Sequence, residues 1–240
     1  MQYPRDSTPH SDSLSIIIPT LNEEKNLGRL LSHLKKSIAG SDEIIVCDGG
    51  SDDQTAAIAS DHGLTVAHSS RGRSIQMNHG ASKASNEILY FLHADTLPPA
   101  DFKRQIGESI NLGYSLGRFR TRFESASLLL KLNAFLTRFD WFICCGGDQS
   151  LFITKKIFES VSGFDENLLL MEDYDIVKRA RKMSKYRILP ASILISARKY
   201  ETNGWLKVQL AHYKIFRMYQ AGVSQEKIFL RYKQLLNYRY

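Results

Sequence analysis

A doubly wound α/β fold, with a mostly parallel central sheet covered by helices on both faces, is what the chain of 240 residues predicts, on three observations. Between residues 14 and 97, four short runs rich in Ile, Leu and Val alternate with amphipathic stretches of helix length. That alternation implies parallel strands buried on both sides. Each apolar run ends in a short polar loop, and the carboxyl edge of an open α/β sheet is where ligands bind. A composition of 43% hydrophobic and 24% charged residues, with no linker rich in Gly, Ser or Pro and no internal repeat, favours one domain.

Taken in order, residues 1–13 (MQYPRDSTPHSDS) carry two prolines and no apolar core, so a flexible tail is expected there and not a secretory signal. LSIIIPT is the first strand, and a helix from Asn22 to Ala39 follows, with Leu27, Leu30, Leu31 and Leu34 on its apolar face and Gly40 as its stop. EIIVCDGG is the second strand. Asp52 or Asp53 caps a short helix through His62, and Gly63 ends it. LTVAHSS is the third strand, residues Ser74 to Ser85 the next helix, and EILYFLHAD the fourth strand, closed by Pro98 and Pro99. Beyond Pro99 the pattern loosens. ADFKRQIGESINLG reads as a helix, YSLGRFRTRF as an antiparallel strand, and GGDQSLFITKKIFESVSGF as a strand followed by a helix. MEDYDIVKRARKM is a helix with an acidic first turn, and RILPASILISARKY supplies one or two strands. The fold is thus expected over residues 14–200, in halves 14–98 and 99–200.

Residues 201–240 interleave aromatics and bases at near-helical spacing, predicting basic amphipathic helices packed on the domain. From Arg198 onward nine Lys and Arg face two Glu, which accounts for the whole net charge of +7. Such a face suits the domain's own core with a basic solvent side, or an anionic membrane surface. Nucleic acid is disfavoured, since no groove-reading or base-stacking motif accompanies the charge. The most apolar stretch, Ser127 to Cys145, contains Lys131, Arg138 and Asp140, which argues for an amphipathic or pocket-lining helix and against a membrane span. Three cysteines, with Cys144 and Cys145 adjacent, form neither a disulfide framework nor a Cys-x-x-Cys knuckle and point to a reducing cytoplasm.

The polar loops carry the chemistry. The first strand ends in Pro19, Thr20, Leu21, Asn22, Glu23 and Glu24, where Asn22 is a good helix cap with acidic residues behind it. After the second strand, Asp48, Gly49, Gly50, Ser51, Asp52 and Asp53 combine close backbone approach with a carboxylate able to accept from a base or ribose. A calcium loop competes, but the Glu expected at its twelfth position is Ala59. The third strand leads into SRGRSIQMNHGA, where Arg71 and Arg73 suit a phosphate or a planar base, Gly72 gives room, and Gln76, Asn78 and His79 follow on a helix. Neither the P-loop ending nor GxGxxG is present. Asp95 in LHAD is a lone carboxylate after a buried run, suited either to a metal-diphosphate site or to capping the helix near Pro99.

Together PTLNEE, CDGGSDD, RGRSIQMNHG and LHAD, with GGDQSLF and GFDENLLLMEDYDIVKR downstream, resemble the family-2 glycosyltransferases of GT-A fold over Leu14 to Lys199, more than three quarters of the chain. The resemblance implies an inverting transfer of a sugar from a nucleotide donor, UDP-linked, to the hydroxyl of a lipid, glycan or small molecule. It implies that Pro19, Thr20, Asn22, Glu23, Asp48, Gly50, Asp52, Arg71, Gly72, Gln76 and Asn78 border the nucleotide. Asp95 matches the last carboxylate of the family's Asp-x-Asp motif, which holds Mg²⁺ or Mn²⁺ against the diphosphate; here the first Asp is His93, which favours Mn²⁺ at reduced affinity. Asp173 matches the base, with Glu172 beside it. His93, Gly146, Gly147, Asp148 and Gln149 would line the donor or acceptor pocket, and Arg198 would contact the diphosphate. A cytoplasmic protein, peripheral at the membrane's inner face, fits this set. A non-catalytic nucleotide-sugar binder and a sugar nucleotidyltransferase remain as alternatives, the latter against an acidic first loop where a basic, glycine-rich one is wanted.

Overall fold

The computed structural model describes residues 13–140 and 150–237. Its frame is one eight-stranded sheet, in the order β3-β2-β1-β4-β7-β6-β8-β5. The first four strands are β1 (Leu14–Thr20), β2 (Glu43–Asp48), β3 (Val66–His68) and β4 (Ile88–Phe91). They pair in parallel, β1 lying between β2 and β4 with every residue buried, as its unbroken apolar run requires. β5 (Thr96–Leu97), β6 (Leu116–Phe123), β7 (Leu151–Thr154) and β8 (Tyr186–Ile195) complete the sheet.

The pairings beyond β4 make the sheet mixed. β7 is antiparallel to both β4 and β6, whereas β8 is parallel to β6 and antiparallel to β5. YSLGRFRTRF, expected as an antiparallel strand, is antiparallel on one side only. Two successive reversals restore direction, so β6 and β8 run with β1. The carboxyl ends of β1, β2, β3, β4, β6 and β8 therefore share one edge.

Alternation along β1 divides the core in two. Leu14, Ile16 and Ile18 face α1 (Leu27–Leu34) and α4 (Phe102–Asn111), whose Leu30, Leu34, Phe102 and Ile106 are fully buried. Ile17 faces the opposite layer, where α3 (Arg73–Lys83), α6 (Lys155–Ser160) and α7 (Glu172–Ala180) contribute Met77, Phe158, Ile176 and Val177. Gly80 lets α3 lie directly on β1 and β2, since a Cβ there would come within 2.5 Å of Ile17 Cγ2 and 2.6 Å of Cys47 Sγ. Burial pushes the Cys47 thiol up to about 12, so it stays protonated as part of this core. A third cluster joins α9 (Trp205–Gln220) and α10 (Gln225–Leu235) through Val208, Ile215, Ile228 and Tyr232, with Leu170 and Met171 of the domain packed against it.

Several boundaries differ from the sequence reading. The first helix spans Leu27–Leu34, not Asn22 to Ala39, and Asn22 is no helix cap: its φ of 55° puts it in the left-handed region, where Asn is tolerated. β4 stops at Phe91, so the chain leaves the sheet before His93 and Asp95 and re-enters as β5. Asp95 does not cap the next helix, which begins at Phe102 behind Asp101. α2 (Thr55–Asp61) has Asp53 at its start, whose Oδ1 accepts from Thr55 N at 2.9 Å.

Candidate functional site

The loops at the shared edge are laced to one another before any ligand is considered. Asn22 N donates to Ser51 Oγ at 2.9 Å, and Asn22 Oδ1 accepts from Asp52 N at 2.9 Å. Glu23 N donates to Thr55 Oγ1 at 2.8 Å, and Glu24 N to Asp53 Oδ2 at 3.1 Å. Burial raises the Asp53 carboxyl, but donation from Thr55 and the Glu24 amide outweighs it and holds Asp53 below the ordinary carboxylate value. Asp48, expected to read a base, is only 2% exposed. Its Oδ2 accepts from Gly50 N at 3.1 Å and Ser51 N at 2.9 Å, and its Oδ1 from the Ser51 hydroxyl, so this carboxylate shapes its own loop. Gly50, at a φ of 86°, supplies the left-handed turn that lets it do so.

Two residues expected at the nucleotide also tie elements of the fold together. Gln76 is buried, and its Nε2 donates to Thr20 O at 2.7 Å and Cys47 O at 2.9 Å, fastening α3 across the ends of β1 and β2. Asn78 holds the segment before α7: its Nδ2 donates to Phe164 O and Glu166 Oε1, and its Oδ1 accepts from Phe164 N, all at 2.9 Å. Arg71 is exposed at the start of α3, behind Gly72, whose φ is 147°. Asn78 also lines an open cleft of about 760 Å³ with His68, Ser70, His79 and Glu166, which includes none of Asp48, Asp95 and Asp173.

Opposite charges from distant segments meet at the edge. Arg198 opens α8 (Arg198–Asn203) just after β8, and its Nη2 lies 3.6 Å from Glu23 Oε1 and 4.0 Å from Asp95 Oδ2. One guanidinium thus neighbours carboxylates from the loops after β1 and β4. The Arg198 side chain is 59% exposed, and that of Asp95 33%. Two residues before it, His93 accepts at its carbonyl from Thr96 N at 3.1 Å, closing a tight turn that aims the segment off the sheet.

The acidic pair on α7 is split by burial. Glu172 is 3% exposed, and its Oε1 sits 3.0 Å from Arg73 Nη1. Arg73 begins α3 directly after the carboxyl end of β3, so this ion pair draws the start of α7 to the shared edge. Asp173 is half-buried and borders solvent. Met171, just ahead of the pair, has a φ of 73°, one of three described non-glycine residues with positive φ; Asn22 is another. At Met171 strain of this kind costs on the order of 1–3 kcal/mol and persists where the surrounding contacts enforce it. By residue type Arg73 suits a phosphate or a planar base, and nothing in the local pattern links it to a carboxylate 99 positions away. Gly146, Gly147, Asp148 and Gln149, expected in the pocket, lie outside the described residues.

Among the described residues no group of three or more His, Cys, Asp or Glu side chains gathers as a metal site. Asp95, partly exposed on a turn, fits a hard cation only in the open manner typical of Mg²⁺, with one carboxylate completed by substrate phosphates and water.

The model of the family described as "Glycosyl transferase family 2" matches residues 15–146. A glucosyl-3-phosphoglycerate synthase of Petrotoga mobilis is 36% identical over 81 residues, 32% of this chain and 24% of that protein. A 4,4'-diaponeurosporenoate glycosyltransferase of Staphylococcus haemolyticus is 38% identical over 93 residues, 35% of this chain and 24% of that protein. The matched stretch therefore spans about a quarter of these curated relatives. Among solved structures, the mannosyltransferase PcManGT from Pyrobaculum calidifontis, in complex with GDP-Man and Mn²⁺, superposes with a TM-score of 0.68 at 16% identity, over 92% of this chain and 68% of that one. The glucosyl-3-phosphoglycerate synthase of Mycobacterium tuberculosis, with Mn²⁺, UDP and glucosyl-3-phosphoglycerate, gives 0.59 at 15% identity, over 93% and 87%. S. aureus TarS 1-349 with UDP-GlcNAc gives 0.64 at 18%, over 77% and 58%. At these identities the likeness is one of fold.

Proposed function

The chain belongs to glycosyl transferase family 2, and from that premise we propose that it moves a sugar from a nucleotide donor, UDP-linked, to an acceptor hydroxyl with inversion at the anomeric carbon. The observation that carries this reading is the approach of Arg198, at the start of α8, to within 4.0 Å of both Glu23 and Asp95 from the loops after β1 and β4, at the carboxyl edge. A guanidinium and a partly exposed carboxylate side by side suit a diphosphate, the one as a direct anion contact and the other as an anchor for a cation. Asp95 would hold a Mn²⁺ or Mg²⁺ ion together with the donor's diphosphate, and such an ion, when bound, offsets the charge that develops on the leaving group. The laced loops after β1 and β2 form the wall against which the nucleoside lies.

Asp173 is the base. Glu172 is engaged with Arg73 in the interior, whereas Asp173 borders solvent on the same helical turn. Its carboxylate takes the proton of the acceptor hydroxyl as that oxygen attacks the anomeric carbon. The bond from that carbon to the diphosphate oxygen breaks on the opposite face, its electrons leave with the diphosphate, and Arg198 receives the charge. A single displacement of this kind inverts the configuration. UDP with Mn²⁺ is expected to raise the melting temperature in a dose-dependent way; a flat response across UDP, GDP and CDP would sink the nucleotide reading.

The acceptor side includes an anionic membrane surface. α9 and α10 carry Lys207, Lys214, Arg217, Lys227, Arg231 and Lys233 against one acid, Glu226, while Leu206, Leu210 and Leu230 are about 60% exposed. Bases beside exposed leucines are the composition of helices that lie on headgroups. Among the described residues no helix is long and apolar enough to cross a membrane. The protein should float with phosphatidylglycerol vesicles at low salt and stay behind with phosphatidylcholine; equal behaviour in both would remove this surface from the account.

A further inference from the structure

We propose that Arg118 and Arg120 of β6 form an anion subsite for the acceptor, so that the molecule receiving the sugar carries a phosphate or carboxylate close to its reactive hydroxyl. The inference rests on the sugar-transfer reading for the word acceptor, and on the side chains of β6 for the anion.

Arg118 is 3% exposed. Its Nη1 donates to Phe119 O at a long 3.3 Å, while its Nε and Nη2 are buried and have no hydrogen-bond partner among the described residues. Arg120 is half-buried, and its Nε is likewise enclosed without a partner. A buried lysine can escape its desolvation cost by losing a proton, but a guanidinium cannot. A charge held in the interior with open donors is costly unless an anion meets it. The planar fork that Arg presents matches carboxylate and phosphate oxygens in pairs.

Topology ties this cationic pair to the transfer site. Side chains alternate along β6, so Arg118 and Arg120 share a face with Leu116, which belongs to the core layer formed with Ile176, Val177 and Ala180 of α7. The first turn of that same helix bears Asp173. From Leu116 the strand proceeds through Arg118 and Arg120 toward the carboxyl edge. Between Phe119 and Arg120 its register with β8 shifts, Phe119 pairing with Leu189 but Arg120 with Ser192. The two extra residues, Pro190 and Ala191, lie on β8, so the alternation along β6 is kept through Arg120. The cationic pair and the helix that bears Asp173 therefore share one face of the sheet, the arrangement a hydroxyl near its own anionic group would need.

Melting curves recorded with increasing inorganic phosphate, and separately with acetate, test the subsite in the wild type, Arg118→Met, Arg120→Ala and Arg198→Ala. Phosphate or acetate should raise the wild-type melting temperature, the stronger of the two naming the acceptor's group. The half-effect concentration should rise about tenfold or more in Arg120→Ala, and the response should vanish in Arg118→Met but survive in Arg198→Ala. Arg118→Met replaces a buried charge by an apolar chain of similar length, so without anion it should melt at or above the wild-type temperature. Should that variant not fold, Arg120→Ala still decides. No response to either anion in the wild type, or equal responses in the wild type and both β6 variants, would overturn the proposal. UDP responses, followed in parallel, separate the two readings: an Arg118-dependent phosphate effect without any UDP effect leaves the anion subsite standing and removes the sugar transfer.

Discussion

If Asp173 is the base proposed above, Asp173→Asn should lower kcat by about 10²–10⁴-fold and leave UDP binding unchanged. The carboxamide keeps the size and planarity of the side chain but has no proton affinity at neutral pH, so the acceptor hydroxyl has nowhere to send its proton. Glu172 cannot take over from the next position, because its carboxylate is 3% exposed and paired with Arg73 at 3.0 Å. The defect should fall on kcat at unchanged donor affinity, the pattern of an interaction made only in the transition state. Steady-state kinetics beside UDP titration separate the two quantities. Wild-type turnover in Asp173→Asn would move the base elsewhere, and loss of UDP binding would recast Asp173 as a donor contact.

Arg73→Met is expected to destabilise the fold by about 2–4 kcal/mol. Removing one partner of a fully buried pair costs about 3–5 kcal/mol, because the remaining charge is left in the interior. Here Glu172 is buried but the Arg73 side chain is 36% exposed, which lowers the expected cost toward that of a partly solvated pair. The effect extends beyond stability. Arg73 links the start of α3 to the start of α7, and Met171 is held at a strained φ of 73° at that junction. Without the pair, the turn that carries Asp173 relaxes and transfer falls as well. Urea denaturation at fixed m gives the stability change. The double variant Arg73→Met/Glu172→Gln should recover most of it, since the stranded charge is gone. A loss below about 1 kcal/mol in Arg73→Met would mean that water already reaches Glu172.

The local pattern carried the nucleotide half of the fold. The runs at Ile16, Ile44 and Ile88 are continuous because their strands are covered on both faces, and that signal is local. Past Pro99 the reading weakened for a topological reason: β6 and β8 are far apart in sequence yet pair in parallel, while β7 enters between β4 and β6. No periodicity announces which neighbour a strand will choose. The loops after β1, β2 and β4 were legible as polar interruptions at strand ends, but the division of labour inside them was not. Asp48 and Gln76, expected at the nucleotide by residue type, also bond backbone groups, a contact no local pattern announces. Arg118 is the opposite case: within GRFRTRF it passes for the polar half of an alternating strand, and only burial without a partner sets it apart.

Calorimetric titration of UDP in the presence of Mn²⁺, into the wild type and into Arg198→Ala, tests most directly the claim that the shared carboxyl edge is a sugar-nucleotide site. The account predicts saturable binding at one site per chain, weakened about tenfold or more when the guanidinium beside Glu23 and Asp95 is removed. Absence of binding in the wild type, or equal affinity in both proteins, would contradict it.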